Sequence, residues 1–174
     1  MTNQKALSVL MKYSGNVDLI RHCLAVSVCL KHFAKMFGED ENYWQEIGIL
    51  HGLVYEMFYD RKNQTRCEVF KRENFTRLQI HAFLAHGYGS LSDTKPNCFM
   101  ERVFVAVDQL VQFIVSTKRL RDFKAVKKMM TNKDYKVGTQ RFLQMCRKID
   151  IDPDWVLLET LAAIKTRRLS LSLS

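Results

Sequence analysis

Trp44-Gln45-Glu46-Ile47-Gly48-Ile49-Leu50-His51-Gly52-Leu53-Val54-Tyr55 carries a stripe that continues to Phe58: Trp44, Ile47, His51, Val54, Phe58. Steps of three and four residues follow one face of an α-helix, so this stretch predicts a helix with a histidine on its inward side. The same period extends in both directions. A short amphipathic segment over 4–13 ends at Ser14-Gly15-Asn16, where Asn16 suits the N-cap of a following helix. That helix runs from Val17 to Phe37 with apolar positions 26, 29, 30, 33 and 37, and Gly38 stops it. Asp40 or Glu41 can then cap the helix of the opening stretch.

Beyond Phe58 the polar run Tyr59–Thr65 reads as a loop, followed by a short helix at about 66–73 and another from Thr76 to His86. Gly87-Tyr88-Gly89 closes it, and Ser90–Asn97 forms a loop. Phe99–Lys118 is again helical, with Phe104, Val107, Val111 and Ile114 on one face and Asp108 among them. Two further helices are expected near 121–130 and 137–149. Asp152-Pro153 opens a last one with Pro153 as its first helical residue, and Trp155, Leu158 and Leu161 form its apolar side. No hairpin signal and no internal repeat interrupts this series. The expected fold is all-α, a single compact helical domain over 1–168, with 169–174 a disordered tail.

Composition agrees. The chain has 174 residues, 47% hydrophobic and 26% charged, enough for one domain with a full core. Seven glycines and two prolines leave few breaks. Apolar runs fall short of the roughly 20 residues that cross a bilayer, and the first residues lack a signal-peptide pattern, so a cytoplasmic protein without membrane association is expected. Five cysteines without a Cys-x-x-Cys pair, three of them inside helical patterns, point to free thiols in a reducing compartment.

The net charge of +9 is concentrated. Between Lys118 and Lys148 lie eleven Lys or Arg against Asp122 and Asp134, and the remainder of the chain balances. Such a stretch attracts anions. Lys124, Lys127, Lys128, Lys133 and Arg141 are therefore the candidate phosphate-binding residues; a solvated helix face is the competing reading. The expected partner is a phosphorylated small molecule or nucleotide. Nucleic acid is not expected, because no recognised binding motif accompanies the charge. Nothing in the sequence specifies an oligomeric state.

His22, His51, His86 and Asp108 all fall on inward or helix-end positions. An inward histidine is commonly a satisfied core residue, but a carboxylate such as Asp108 is costly in a core unless paired, hydrogen-bonded or bound to a metal. Arg21-His22-Cys23-Leu24-Ala25-Val26, Gly38-Glu39-Asp40-Glu41 with Trp44, Ile47–His51, Ala85-His86-Gly87-Tyr88-Gly89 and Val105–Leu110 stand in one order along the chain. In that order the chain resembles the HD superfamily, specifically small single-domain HD or HDIG hydrolases. The likeness continues through Val126–Met129 and Gly138 to Arg141. The resemblance implies a helical domain that holds a divalent metal through a histidine, an adjacent His-Asp pair and a distant aspartate, and that hydrolyses phosphate esters. His22, His51 and Asp108 match three ligands, and His86 matches a site-lining histidine. Mn, Fe, Ni, Zn or Mg would be the cofactor, since imidazole and carboxylate suit such ions.

The chain departs from this pattern at the centre. Gly52 stands where the pair has its aspartate, and Val54 where a second acid is common. No histidine lies in 59–65, and Gln109 and Val111 replace an acidic and a small hydroxyl residue. Loss of a carboxylate ligand removes a donor and a charge, and even outer-sphere losses cost about 10- to 100-fold. Two readings follow. In one the frame persists as a ligand-binding or regulatory module, with hydrolysis impaired or lost and the metal either kept or gone. In the other His22, His51 and Asp108 remain a working two-histidine, one-carboxylate site. An aspartate restored at position 52 is expected to restore metal binding.

Overall fold

The computed structural model describes the backbone of residues 2–59, 63–116 and 122–172. Local chemistry starts each early helix where the sequence expects it. α1 (Asn3–Tyr13) takes its cap from Thr2, whose side chain accepts from the Lys5 N–H. Asn16 caps α2 (Val17–Phe37) by accepting from the Asp18 and Leu19 amides, and Gly38 ends it at φ 70°. An L-residue with a side chain is strained at that φ, which is why glycine serves there. Asp40 caps α3 (Glu41–Leu50).

The long helix expected through Phe58 is in fact two. His51 lies in a turn between α3 and α4 (Gly52–Tyr59), where the Val54 N–H bonds the His51 carbonyl at 3.1 Å, a three-residue step that tightens the helix. The inward face survives the break, with Trp44, Ile47, His51 and Val54 all buried; the side chain of Phe58 lies outside the described residues. α5 (Asn63–Arg72) begins earlier than expected, so Asn63–Thr65 are helical rather than loop, and 60–62 lie outside the described residues.

α6 (Arg77–His86) starts from a reciprocal capping box between Thr76 and Gln79. α7 (Phe99–Ser116) matches its expectation up to 116; Lys118 lies outside the described residues. The basic segment folds as α8 (Phe123–Met130), a 3₁₀ turn over Lys133–Tyr135 and α9 (Lys136–Ile149). α10 (Pro153–Ser172) opens with the Asp152 carboxylate accepting from the Trp155 amide and continues past Arg168, where the sequence pattern alone would close the domain.

These helices form one compact all-α domain, with no β-strand among the described residues and only an isolated bridge between Tyr88 and Ser92. α2 is the organising element. It packs against α3, α7 and α10, while α7 also meets α6 and α9. α2 and α3 approach closely because Gly48 has no side chain: a Cβ there would lie 2.5 Å from the Ser27 Cα. Phe33, Phe37, Trp44, Phe99 and Trp155 interlock at one end of this contact with ring centroids 4.9–6.4 Å apart. The core thereby fixes α2, the α3–α4 turn and α7 relative to one another. That is the geometry on which the site depends.

Candidate metal centre

α2 supplies His22, the α3–α4 turn supplies His51, and the middle of α7 supplies Asp108. One nitrogen from each histidine and one carboxylate oxygen lie within 4.8 Å of one another. His22 Nε2 is 2.9 Å from Asp108 Oδ1, and His51 Nε2 is 3.6 Å from the same oxygen. His51 is 0% exposed and Asp108 2%, whereas His22 is only partly covered. Two N or O ligands about 2.0–2.2 Å from one ion are at most about 4.4 Å apart, so both pairs have spacings that a common ion can span. This His/His/Asp group could hold a metal ion.

The protonation pattern supports that fit. His51 Nδ1 donates to the Gly48 carbonyl at 2.7 Å, which places its proton there and leaves Nε2 with a lone pair. Burial, with His86 nearby, lowers the His51 pKa to about 3, against the opposing pull of Asp108. The ring is therefore neutral, and its Nε2 lone pair meets a carboxylate oxygen 3.6 Å away with no proton between them. A cation bound between them would resolve that confrontation. A backbone carbonyl on the far ring nitrogen is the usual device that orients a ligating histidine. His86 is held the same way, with Nδ1 donating to the Phe83 carbonyl at 2.5 Å, while its buried Nε2 has no hydrogen-bond partner. The His86 ring lies edge-on to His51 at 5.0 Å and stacks on Phe104 at 5.2 Å. His86 thus lines the site without belonging to the compact three-residue group.

Asp108 is well supported. Burial pushes its pKa up, but the hydrogen bond from His22 opposes burial, and the pKa is held below the usual range. Gln109 Nε2 donates to its second oxygen at 3.2 Å. Gln109 therefore serves as a neutral donor to the Asp108 carboxylate.

At Gly52 the structure shows what occupies the space that a side chain would need. An added Cβ would meet Cys23 Sγ at 2.5 Å, Leu10 Cδ1 at 3.3 Å and Leu19 Cδ1 at 3.4 Å. The thiol of Cys23 occupies that space, 4.0 Å from His51 Nε2, and burial pushes its pKa up to about 12. Reading Cys23 as a small buried hydrophobe is right about burial and silent about this contact.

Beside the cluster opens a cavity of about 430 Å³, lined by Tyr55, Gln109, Phe113, Tyr135 and Arg141 among others. Its walls are built from the cluster's own neighbours: the Tyr55 ring is 5.6 Å from His86, Gln109 bonds Asp108, and the Arg141 guanidinium donates to the His86 carbonyl. The other candidate phosphate ligands are elsewhere. Lys127 pairs with Asp154 on the surface, Lys133 lines a separate groove with Met130 and Lys136, and Lys124 and Lys128 are exposed on α8. The five do not form one site; Arg141 alone reaches the cavity. Tyr55 and Cys23 are the residues that sequence reasoning passed over. Tyr55 had a usable signal, one helical turn after His51.

No protein-family model, no curated protein and no solved structure matches this chain.

Proposed function

We propose that this chain is an HD-like module that binds a phosphorylated small molecule, nucleotides included, beside a divalent-cation site of His22, His51 and Asp108, with hydrolysis impaired or lost. The observation that carries the reading is the meeting of the His51 Nε2 lone pair and Asp108 Oδ1 at 3.6 Å, buried and without a proton between them. Mn, Fe, Ni, Zn or Mg suit such a donor set. A bound ion would polarise a phosphoryl oxygen facing the cavity. The remaining work falls to the protein. Gln109 holds the Asp108 carboxylate in place, and the carbonyls of Gly48 and Phe83 fix the imidazole rings of His51 and His86. Arg141 spends part of its guanidinium on the His86 carbonyl and keeps further N–H donors for a phosphate.

Impairment follows from charge. With Gly52 in place of a carboxylate, Asp108 is the one anionic oxygen donor in the three-residue group, half of what balances a divalent ion. A second reading, a working phosphohydrolase on the residual ligands, draws on one feature: the unpartnered Nε2 of buried His86 is a spare base or ligand. The deciding experiment is elemental analysis of purified protein together with thermal stability under added Mn²⁺ or Zn²⁺. Binding at 100 times Kd should stabilise by about 2.7 kcal/mol, and His51→Ala should abolish it. Protein that holds no metal and gains no stability would sink the proposal. Turnover of phosphate esters by the loaded protein would favour the second reading.

A further inference from the structure

We infer that Cys23 supplies a thiolate ligand to this centre, in the room that a side chain at position 52 would take. The inference rests on the cation site proposed above and assigns it a fourth donor. Three observations converge. The sulfur stands 2.5 Å from where the Cβ of residue 52 would be, so the loss of one side chain and the position of the other describe a single exchange of volume. It lies 4.0 Å from His51 Nε2. A metal–sulfur bond of about 2.3 Å and a metal–nitrogen bond of about 2.1 Å span up to about 4.4 Å, so this pair too can share an ion. And His86, whose buried Nε2 has no hydrogen-bond partner, has its ring 5.0 Å from that of His51.

The chemistry closes the charge deficit. Ligation replaces the Cys23 S–H bond with a sulfur–metal bond and releases the proton to solvent. No electron moves. Asp108 and the Cys23 thiolate then contribute two negative charges against the ion's two positive ones, the balance a His-Asp pair would have provided. As the side chain stands, the sulfur lies outside the compact group that the two histidines and Asp108 form, and joining it requires a turn about its one side-chain torsion. A thiolate also changes which ion is chosen, favouring Zn²⁺, Co²⁺ or Cd²⁺ over Mg²⁺ and Mn²⁺. The centre becomes a zinc-type site in a frame that resembles oxygen- and nitrogen-ligated ones.

The test is a Co²⁺ titration of the metal-stripped full chain, followed by absorption. Thiolate ligation gives a near-ultraviolet sulfur-to-cobalt charge-transfer band in addition to the visible ligand-field bands. The wild type should show both. Cys23→Ser and Cys23→Ala should lose the near-ultraviolet band, keep the visible ones, and bind Zn²⁺ about 10- to 100-fold more weakly. Cys29→Ser and Cys146→Ser should retain everything. Visible bands without the charge-transfer band in the wild type would overturn the inference and leave the His/His/Asp reading standing. A charge-transfer band that survives both Cys23 variants would overturn it as well. No cobalt signal at all would remove the inference and the site together. A wild type without the charge-transfer band overturns the inference even where a Cys23 variant fails to fold, and a band that disappears in Cys67→Ser or Cys98→Ser overturns it too.

Discussion

Gly52→Ala adds one methyl group in contact with three buried side chains, and its consequence can be worked from the packing. The new Cβ would lie 2.5 Å from Cys23 Sγ, against a normal contact of about 3.5–4.0 Å, with Leu10 and Leu19 closing the other sides. Overpacking of this kind costs about 1–3 kcal/mol. A gain in helix propensity of up to about 1 kcal/mol opposes it at the first residue of α4, so a net loss of about 1–2 kcal/mol is expected. Cys23→Ala alone removes a buried sulfur and should cost about 1 kcal/mol. Combined, the two changes exchange a sulfur for a methyl in nearly the same space. The double variant should therefore be close to wild type, with a coupling of about 2–3 kcal/mol in its favour. Urea unfolding of the four metal-stripped proteins, followed through Trp44 and Trp155, measures the cycle. Additivity within about 0.5 kcal/mol would refute the exchange of volume. The same logic revises the expectation that an aspartate at position 52 restores the site. Gly52→Asp alone brings a carboxylate against a resident sulfur and should not bind Mn²⁺ better than wild type, whereas Cys23→Ala/Gly52→Asp should.

Gly48→Ala places a Cβ 2.5 Å from the Ser27 Cα and 2.9 Å from its nitrogen, backbone atoms that cannot turn aside, so a loss of about 2 kcal/mol or more is expected in denaturant unfolding; unchanged stability would mean that α2 and α3 separate freely. Stability of the metal-free protein should also fall in mild acid. His51 ordinarily takes a proton at 6.5 and in the fold only near 3, so below 6.5 the unfolded chain binds the extra proton. The loss is about 2 kcal/mol between pH 7.5 and 5, His86 acts in the same direction, and Asp108 enters only below its ordinary 3.8. A His51→Gln variant that keeps the full acid sensitivity would contradict this. Finally, Arg141→Ala should weaken pyrophosphate binding about tenfold or more in calorimetry, while Lys127→Glu/Lys128→Glu should change it by less than about twofold. The reverse pattern would move the anion site to the α8 surface.

The helical architecture was legible because its signals are local. The caps at Asn16 and Asp40, the stop at Gly38 and the start at Pro153 are backbone chemistry that one or two residues decide, and the inward stripes of α2, α3 and α7 are written as periodicity. The same periodicity is enough to place His51 and Asp108 in the interior. What it could not reveal is distance between helices. That His22 and His51 reach the same oxygen of Asp108 depends on α2 packing on both α3 and α7, which is a property of the whole core. That Arg141 reaches the cavity while Lys127 pairs with Asp154 depends on how α8 and α9 turn, and five charges in one stretch of sequence carry no such information. Gly52 is the sharpest case. As a letter in the sequence it is only a departure from the pattern that the chain resembles. Only the fold, by bringing Cys23 from α2 against it, shows that sulfur occupies the space a side chain there would need, since van der Waals exclusion acts between neighbours in space and not between neighbours along the chain.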